Sequence, residues 1–265
     1  AKYTPTVTPI AITPTDKVSE DIQNVPQTQT PTFELSNDKT AKITSKKLVD
    51  PATGQPTDET TVTVEGEGTY SIDPTTGAVT FTPEKDFVGT AKGVKVQATA
   101  TVTNANGKTA TITSDASYTP TVKAAEPTAN PATSKDIQGA TQTGKPTFAG
   151  TTVSVNGEDK EITIKDNSYK LLDKDGNEVS TTTAYAEDGT TPIGTFTIDP
   201  ATGTVTFTPT DKSYTGKVTP VKVQAESSNG IKVDTTYTPE IVPVTPTATP
   251  VETKDVQGAT QTGKP

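Results

Sequence analysis

The 265-residue chain has no cysteine, histidine, methionine or tryptophan, and all 23 of its basic residues are lysine because arginine is missing too. Without histidine and cysteine it lacks the commonest general base, the thiol nucleophile and the ordinary zinc ligands. Without arginine it lacks the planar fork that grips phosphate and carboxylate. A net charge of −9 and a pI near 4.7 set it against polyanions and argue against a nucleic-acid role. Hydrophobic residues make up 29% and aromatics 5%, so any core is lean. No stretch approaches the roughly 20 apolar residues of a membrane helix. A cysteine-free chain needs no disulfide in any compartment. Neither end reads as a signal peptide or a wall-anchor signal, which is the expectation for an internal fragment.

What is present is threonine, nearly a quarter of the residues, with 22 prolines and a mean hydropathy of −0.53. It is also repetition. DIQGATQTGKP (Asp136 to Pro146) returns as DVQGATQTGKP (Asp255 to Pro265), and a weaker copy, DIQNVPQTQTP, runs from Asp21 to Pro31. The copies are 115 and then 119 residues apart, and Tyr-Thr-Pro keeps the same step at Tyr3, Tyr118 and Tyr237. The longest shared segment is TYSIDPTTGAVTFTP (Thr69 to Pro83) against TFTIDPATGTVTFTP (Thr195 to Pro209). An array repeats a building unit, whereas an active site gathers unlike residues once. The expected division is the tail of a preceding repeat and connector at 1–15 and a first repeat at 16–122. A connector plus second repeat follows at 123–243, then a connector and the start of the next repeat at 244–265.

The shared segment predicts a hairpin. In the second repeat Phe196 and Ile198 alternate with threonines, Pro200-Ala201-Thr202-Gly203 forms the loop, and Val205 and Phe207 alternate again. Gly203 supplies the left-handed residue of a four-residue loop, and Asp199 accepts hydrogen bonds from loop amides. If Asp199 faces Thr204, then Ile198 faces Val205 and Phe196 faces Phe207. The same register in the first repeat pairs Ile72 with Val79 and Tyr70 with Phe81, with Gly77 in the loop. Asn106-Gly107, Asn156-Gly157, Asp175-Gly176 and Asn229-Gly230 mark further turns between alternating stretches. No window shows a helical period. The predicted fold is all-β, as tandem immunoglobulin-like β-sandwich repeats. The segments VTPIAITPTDKVSE, VKAAEPTANPATSK and VPVTPTATPVETK are expected to be extended polyproline connectors, giving an elongated array.

Together DIQGATQTGKPTF (Asp136 to Phe148), GTFTIDPATGTVTFTP (Gly194 to Pro209), YTGKVTPVKVQA (Tyr214 to Ala225) and YTPEIVP (Tyr237 to Pro243) resemble the fibril repeats of the CshA family of Gram-positive surface adhesins. The first repeat departs at its opening, where DIQNVPQTQTPTF lacks the QGA and GKP parts. The resemblance implies a secreted, extracellular stalk of tandem β-domains, anchored covalently to the cell wall through a region outside this fragment. It also implies a separate adhesive region for host glycoproteins, likewise outside it. The alternative is that the repeats themselves bind host matrix glycoproteins or other cells. The expected partners are neighbouring repeats of the same chain, with no nucleic acid and no membrane, in a monomer.

Sharper chemistry is weighed against plain structure. Asp173, Asp175, Asn177 and Glu178 superficially resemble a calcium loop, but the spacing lacks the full pattern, and an Asp-Gly turn is the expectation. Asp73 and Asp199 precede proline turns and read as turn caps. An isopeptide crosslink needs Lys and Asn on adjacent strands beside a buried carboxylate, whereas Asn104, Asn106 and Asn229 fall in turns. Gln97 and Gln224 could enter an ester with a threonine, but a structural hydrogen bond is the expected use. Tyr3, Tyr118 and Tyr237 are expected to pack across the end of a sandwich with hydroxyls on backbone. No catalytic residue, metal site or cofactor is expected, and the chain is not read as an enzyme.

Overall fold

In the computed structural model, residues 2, 4, 9–37, 39–104 and 106–264 are described, and among them every regular element is a strand. The chain divides into two compact units, unit 1 being Ala1–Thr128 with Ala149–Lys165 and Glu226–Lys232, and unit 2 being Ala129–Phe148, Asp166–Ala225 and Val233–Pro265. The sequence division at 122/123 and this division by contacts therefore differ. Tyr3 lies outside the described residues.

Each unit is an immunoglobulin-like sandwich. In unit 1 one sheet runs in the order Lys17–Ile22, Thr109–Lys123, Val94–Thr103, Ala41–Val49, and the other in the order Gln27–Gln29, Val79–Pro83, Gly68–Ile72, Thr61–Val64. Unit 2 repeats the plan. Ala132–Ile137, Lys232–Val242, Val221–Glu226 and Lys170–Leu172 form one sheet, extended by Glu178–Val179. Gln142–Gly144, Val205–Pro209, Pro192–Ile198 and Thr181–Tyr185 form the other. Threonine and valine at alternate positions suit these strands, one face entering the core and the other meeting water.

The predicted hairpins stand in register. Phe196 pairs with Phe207 and Ile198 with Val205 in unit 2, and Tyr70 with Phe81 and Ile72 with Val79 in unit 1. All these side chains are buried. Gly77 and Gly203 take φ of 80° and 72°, the left-handed values that the loop requires and that side chains resist.

The proline-rich segments correct the sequence reading. VTPIAITPTDKVSE contributes the strand Ile12–Thr15, paired with Thr32–Leu35, and the start of Lys17–Ile22. VKAAEPTANPATSK likewise contains the strand Thr128–Asn130 and most of Ala132–Ile137. Proline lacks the N–H that a ladder uses and so is better tolerated at an edge than in a central strand. Pro14 sits on a two-stranded edge ladder, and Pro131 falls between strands. Only the last segment follows the expectation in part, with no strand assigned after Val242.

Candidate functional site

The first and last strands of the larger sheet in each sandwich lie side by side and run parallel, each first strand following a short edge strand (Ile12–Thr15 or Thr128–Asn130). Lys17–Ile22 pairs with Tyr118–Lys123 in unit 1, and Ala132–Ile137 with Tyr237–Val242 in unit 2, each over six residues. Parallel pairing is possible here because the two strands are the first and last of that sheet in chain order, joined through nearly all the rest of the fold.

A buried polar cluster holds that pair at its inner face. In unit 1 the Ser19 hydroxyl donates to Gln27 Oε1 at 2.5 Å and stands 2.7 Å from the Tyr118 hydroxyl. Gln27 Nε2 donates to the Thr121 carbonyl at 2.9 Å. Ser134, Gln142 and Tyr237 repeat the cluster in unit 2, with 2.6 Å from Ser134 to each partner and 3.1 Å from Gln142 Nε2 to the Glu240 carbonyl. Since the serine proton goes to the glutamine oxygen, the tyrosine is the donor to the serine in each cluster. Gln27 and Gln142 are 5% and 3% exposed, so their amides would be costly to leave unpaired. Burial raises the pKa of Tyr118 and of Tyr237, and the serine hydrogen bond offsets part of the rise. The cluster thus ties first strand, second strand and last strand together with neutral groups in a low-dielectric setting, where hydrogen bonds reinforce one another.

Tyr118 and Tyr237 were expected to bond backbone. Their hydroxyls meet serine side chains instead, while the rings enter the cores, set edge-on to Tyr70 and Phe196 at 6.3 and 6.0 Å. The serine and glutamine of the cluster escaped the sequence reading, although a signal was there. Ser19–Gln27, Ser134–Gln142 and Thr253–Gln261 keep one spacing of eight residues. The side chains of Thr253 and Gln261 already meet in the last copy.

The remaining candidates resolve into turns and ladders. Asp173 Oδ1 accepts the amides of Asp175 and Asn177 at 2.9 and 2.8 Å, closing the Asp-Gly turn, and these bonds, the Asn177 amide first, hold its carboxyl below the ordinary value. Glu178 lies on the strand that follows. Asp73 and Asp199 accept the amides of Thr75 and Ala201 at 2.9 Å each and the hydroxyls of Thr76 and Thr202 at 2.8 Å each. Their carboxyls are lowered, chiefly by those amides. Asn104 caps its own turn by accepting from Asn106 and Lys108. Gln97 and Gln224 are half-buried and donate across the ladder to Asp115 and Asp234 at 3.0 and 2.8 Å, as structural hydrogen bonds. Among the described residues no three His, Cys, Asp or Glu gather in a way that could hold a metal ion. A recess of about 350 Å³ in unit 1 is lined by Asp50, Lys92, Lys95, Asp115, Ser117 and Thr119 among others; its charges are of both signs.

Comparison with known proteins places the chain. Residues 9–122 and 124–241 each match the model of the surface adhesin CshA repetitive domain. No curated protein matches significantly. Among solved structures, mouse cadherin-23 EC22-24 is similar at 13% identity and a TM-score of 0.27, covering 86% of this chain and 63% of that one. The I9-I11 tandem from titin is similar at 13% identity and a TM-score of 0.32, covering 89% and 66%. The N-terminal Ig1-2 module of the Drosophila receptor phosphatase DLAR is similar at 13% identity and a TM-score of 0.24, covering 89% and 100%. The chain spans less than two thirds of the cadherin-23 and titin chains that it matches.

Proposed function

The chain belongs to the surface adhesin CshA repetitive domain family, and on that premise we propose that its repeats are load-bearing stalk units without enzymatic activity. They project a distal adhesive region, outside these residues, from the wall of a Gram-positive cell. The parent protein is secreted and covalently attached to that wall through another region.

The observation that carries this reading is the parallel pairing of the first and last strands of the larger sheet in each unit. Tension on a stalk pulls the first strand toward its N-terminus and the last toward its C-terminus. In a parallel pair those directions oppose each other along the strand axis, so the ladder bonds are sheared together instead of being unzipped singly. Each bond contributes only about 1 kcal/mol net, but loading six-residue ladders and the Ser–Gln–Tyr cluster at once makes rupture a single concerted event. Of the aromatic positions that the two repeats share, Tyr70/Phe196, Phe81/Phe207 and Tyr118/Tyr237 are buried in the cores, and Phe33/Phe148 and Phe87/Tyr214 are half-buried and packed against them, which favours a stalk over a binding module.

Single-molecule pulling on the whole chain through its ends tests the role. The expected record has discrete, abrupt unfolding events, one per unit. Smooth extension at low force, with strands peeling off in sequence, would contradict it.

A further inference from the structure

We propose that the apolar face around Ile137 and Val244 in unit 2 is a receptor for a β-hairpin of a following repeat, with the chemistry of Thr151–Ile162. The proposal rests on the repeat register and not on the load-bearing role, so either can fail alone.

The template is in unit 1. There the turn after the first strand and the chain after the last strand make a small apolar floor of Ile22, Val25 and Ala125. The hairpin Thr151–Val155 with Glu158–Ile162 lies over it, packing Val153, Val155 and Ile162 against the floor. Polar contacts fix its position. Lys160 Nζ is 2.6 Å from Asp21 Oδ1, and the Asn156 amide donates to Glu20 Oε1 at 3.0 Å. Lys123 Nζ donates to the Ser154 carbonyl at 2.5 Å. The turn at Asn229 lies against the same floor, Asn229 Nδ2 donating to the Ala125 carbonyl at 3.2 Å. This hairpin is an insertion of the second sequence repeat, between Phe148 and Lys170. The first repeat has 13 residues between the counterparts Phe33 and Lys47, where the second has 21.

Unit 2 builds the corresponding floor, with Ala140 in the place of Val25. Two of its hydrogen bonds have direct counterparts. Gln23 N–H to the Lys123 carbonyl becomes Gln138 N–H to the Val242 carbonyl, both at 3.0 Å. The Ala125 amide on Gln23 Oε1 at 2.8 Å becomes the Val244 amide on Gln138 Oε1 at 3.0 Å. The floor residues are thus Ile22 and Ile137, and Ala125 and Val244. Their exposures diverge: Ile22 and Ala125 are 6% and 1% exposed, while Ile137 and Val244 are 50% and 51% exposed. A geometry that is maintained in both units and covered in one marks a docking face in the other, since aliphatic side chains paired at a surface gain by being covered. The occupant is set by the register. A further opening segment begins at Asp255, so a repeat follows the floor of unit 2 as the second repeat follows that of unit 1. In tandem arrays such nearest-neighbour faces carry much of the stability. Asp136 stands where Asp21 stands and remains exposed to receive a lysine, but Lys135 replaces Glu20. The expected fit is therefore the apolar part and one ion pair.

Absence of native cysteine makes the test clean. Val244→Cys is introduced into the whole chain, and into the same chain extended after Pro265 by a further copy of residues 147–265, which completes a third repeat with its hairpin. Thiol labelling of the unextended chain should be fast, and extension should slow it at least tenfold. Replacing the valines equivalent to Val153 and Val155 in the added copy with aspartate should restore the fast rate. Equal rates with and without the extension would overturn the proposal. So would slowing in the unextended chain that grows with protein concentration, because that would mark contact between separate chains. Amide hydrogen exchange at position 244 in the unsubstituted pair of chains reads the same outcomes without any cysteine, and equal exchange would overturn the proposal as well.

Discussion

Tyr70 of unit 1 and Phe196 of unit 2 hold the same place in the same hairpin, facing Phe81 and Phe207 with ring centroids at 4.7 and 5.4 Å. Each also meets the cluster tyrosine edge-on. Only Tyr70 carries a hydroxyl, and that hydroxyl is buried with no hydrogen-bond partner. Burial first, and the nearby Glu67 carboxylate second, push its pKa upward. By contrast, the Ser–Gln–Tyr cluster is satisfied in both units. The comparison separates what the fold requires, an aromatic stack under a paired polar cluster, from a polar atom that one unit merely tolerates.

The largest expected effects come from close approaches common to both units. A Cβ on Gly68 would lie 2.3 Å from the Thr82 carbonyl oxygen, and one on Gly194 would lie 2.5 Å from that of Thr208. Backbone cannot yield as a side chain does, so Gly68→Ala and Gly194→Ala should each destabilise their own unit by about 3 kcal/mol. At the hairpin loop, Gly203→Val should cost about 2 kcal/mol through strain at positive φ. Thermal melts of the whole chain check all three, and an unchanged melt for Gly194→Ala would mean that the paired strands are misplaced.

The cluster comes next. Gln27→Ala and Gln142→Ala remove a buried amide and strand a serine, a tyrosine and a carbonyl. Each should destabilise its unit by about 2 kcal/mol in denaturant titrations. If the losses in the two units differ widely, the clusters are not equivalent. Tyr70→Phe should go the other way and stabilise unit 1 by about 1 kcal/mol, by removing an unsatisfied buried hydroxyl. The converse change, Phe196→Tyr, should weaken unit 2.

The smallest effect is electrostatic. Asp188 is lowered from 3.8 to about 2, chiefly by the Thr191 hydroxyl and then by the Thr191 and Thr190 amides, and Asp73 and Asp199 are lowered by their own turns. A folded value below the unfolded one gives stability that is present above the unfolded value and lost as pH falls through the folded one. Melting temperature should therefore hold from about pH 8 to about pH 5 and decline below about pH 4. Asp188→Asn should flatten part of that decline in unit 2, and an undiminished slope would show that its turn bonds contribute nothing.

Much of this fold is legible in the sequence. Period-two alternation and one glycine loop were enough to place Phe196 against Phe207 and Ile72 against Val79, because a two-residue period leaves a single register that buries all the apolar side chains. Asp73 and Asp199 were readable as turn caps, and Asp175-Gly176 as a turn, for the same local reason. The strand pair at the heart of the site was not. Tyr118 and Ser19 are 99 residues apart, and no local pattern links them. The prolines of Ile12–Thr15 and the segment around Pro131 suggested connectors, since sequence cannot say that a strand is an edge strand until its neighbours are known. Of the hairpin Thr151–Ile162 the Asn156-Gly157 turn was readable, but the side on which it packs was not.

The central claim is that the parallel terminal strands and their polar cluster bear load together. The direct test compares Ser134→Ala/Gln142→Ala with the parent chain at constant force. If the cluster is sheared in the rupture event, the variant's unit 2 should unfold about tenfold faster or more under load, as expected for removing about 1.5–2 kcal/mol from interactions broken at the barrier, while unit 1 keeps its rate. A variant that loses equilibrium stability yet unfolds under force at the parent rate would contradict the claim.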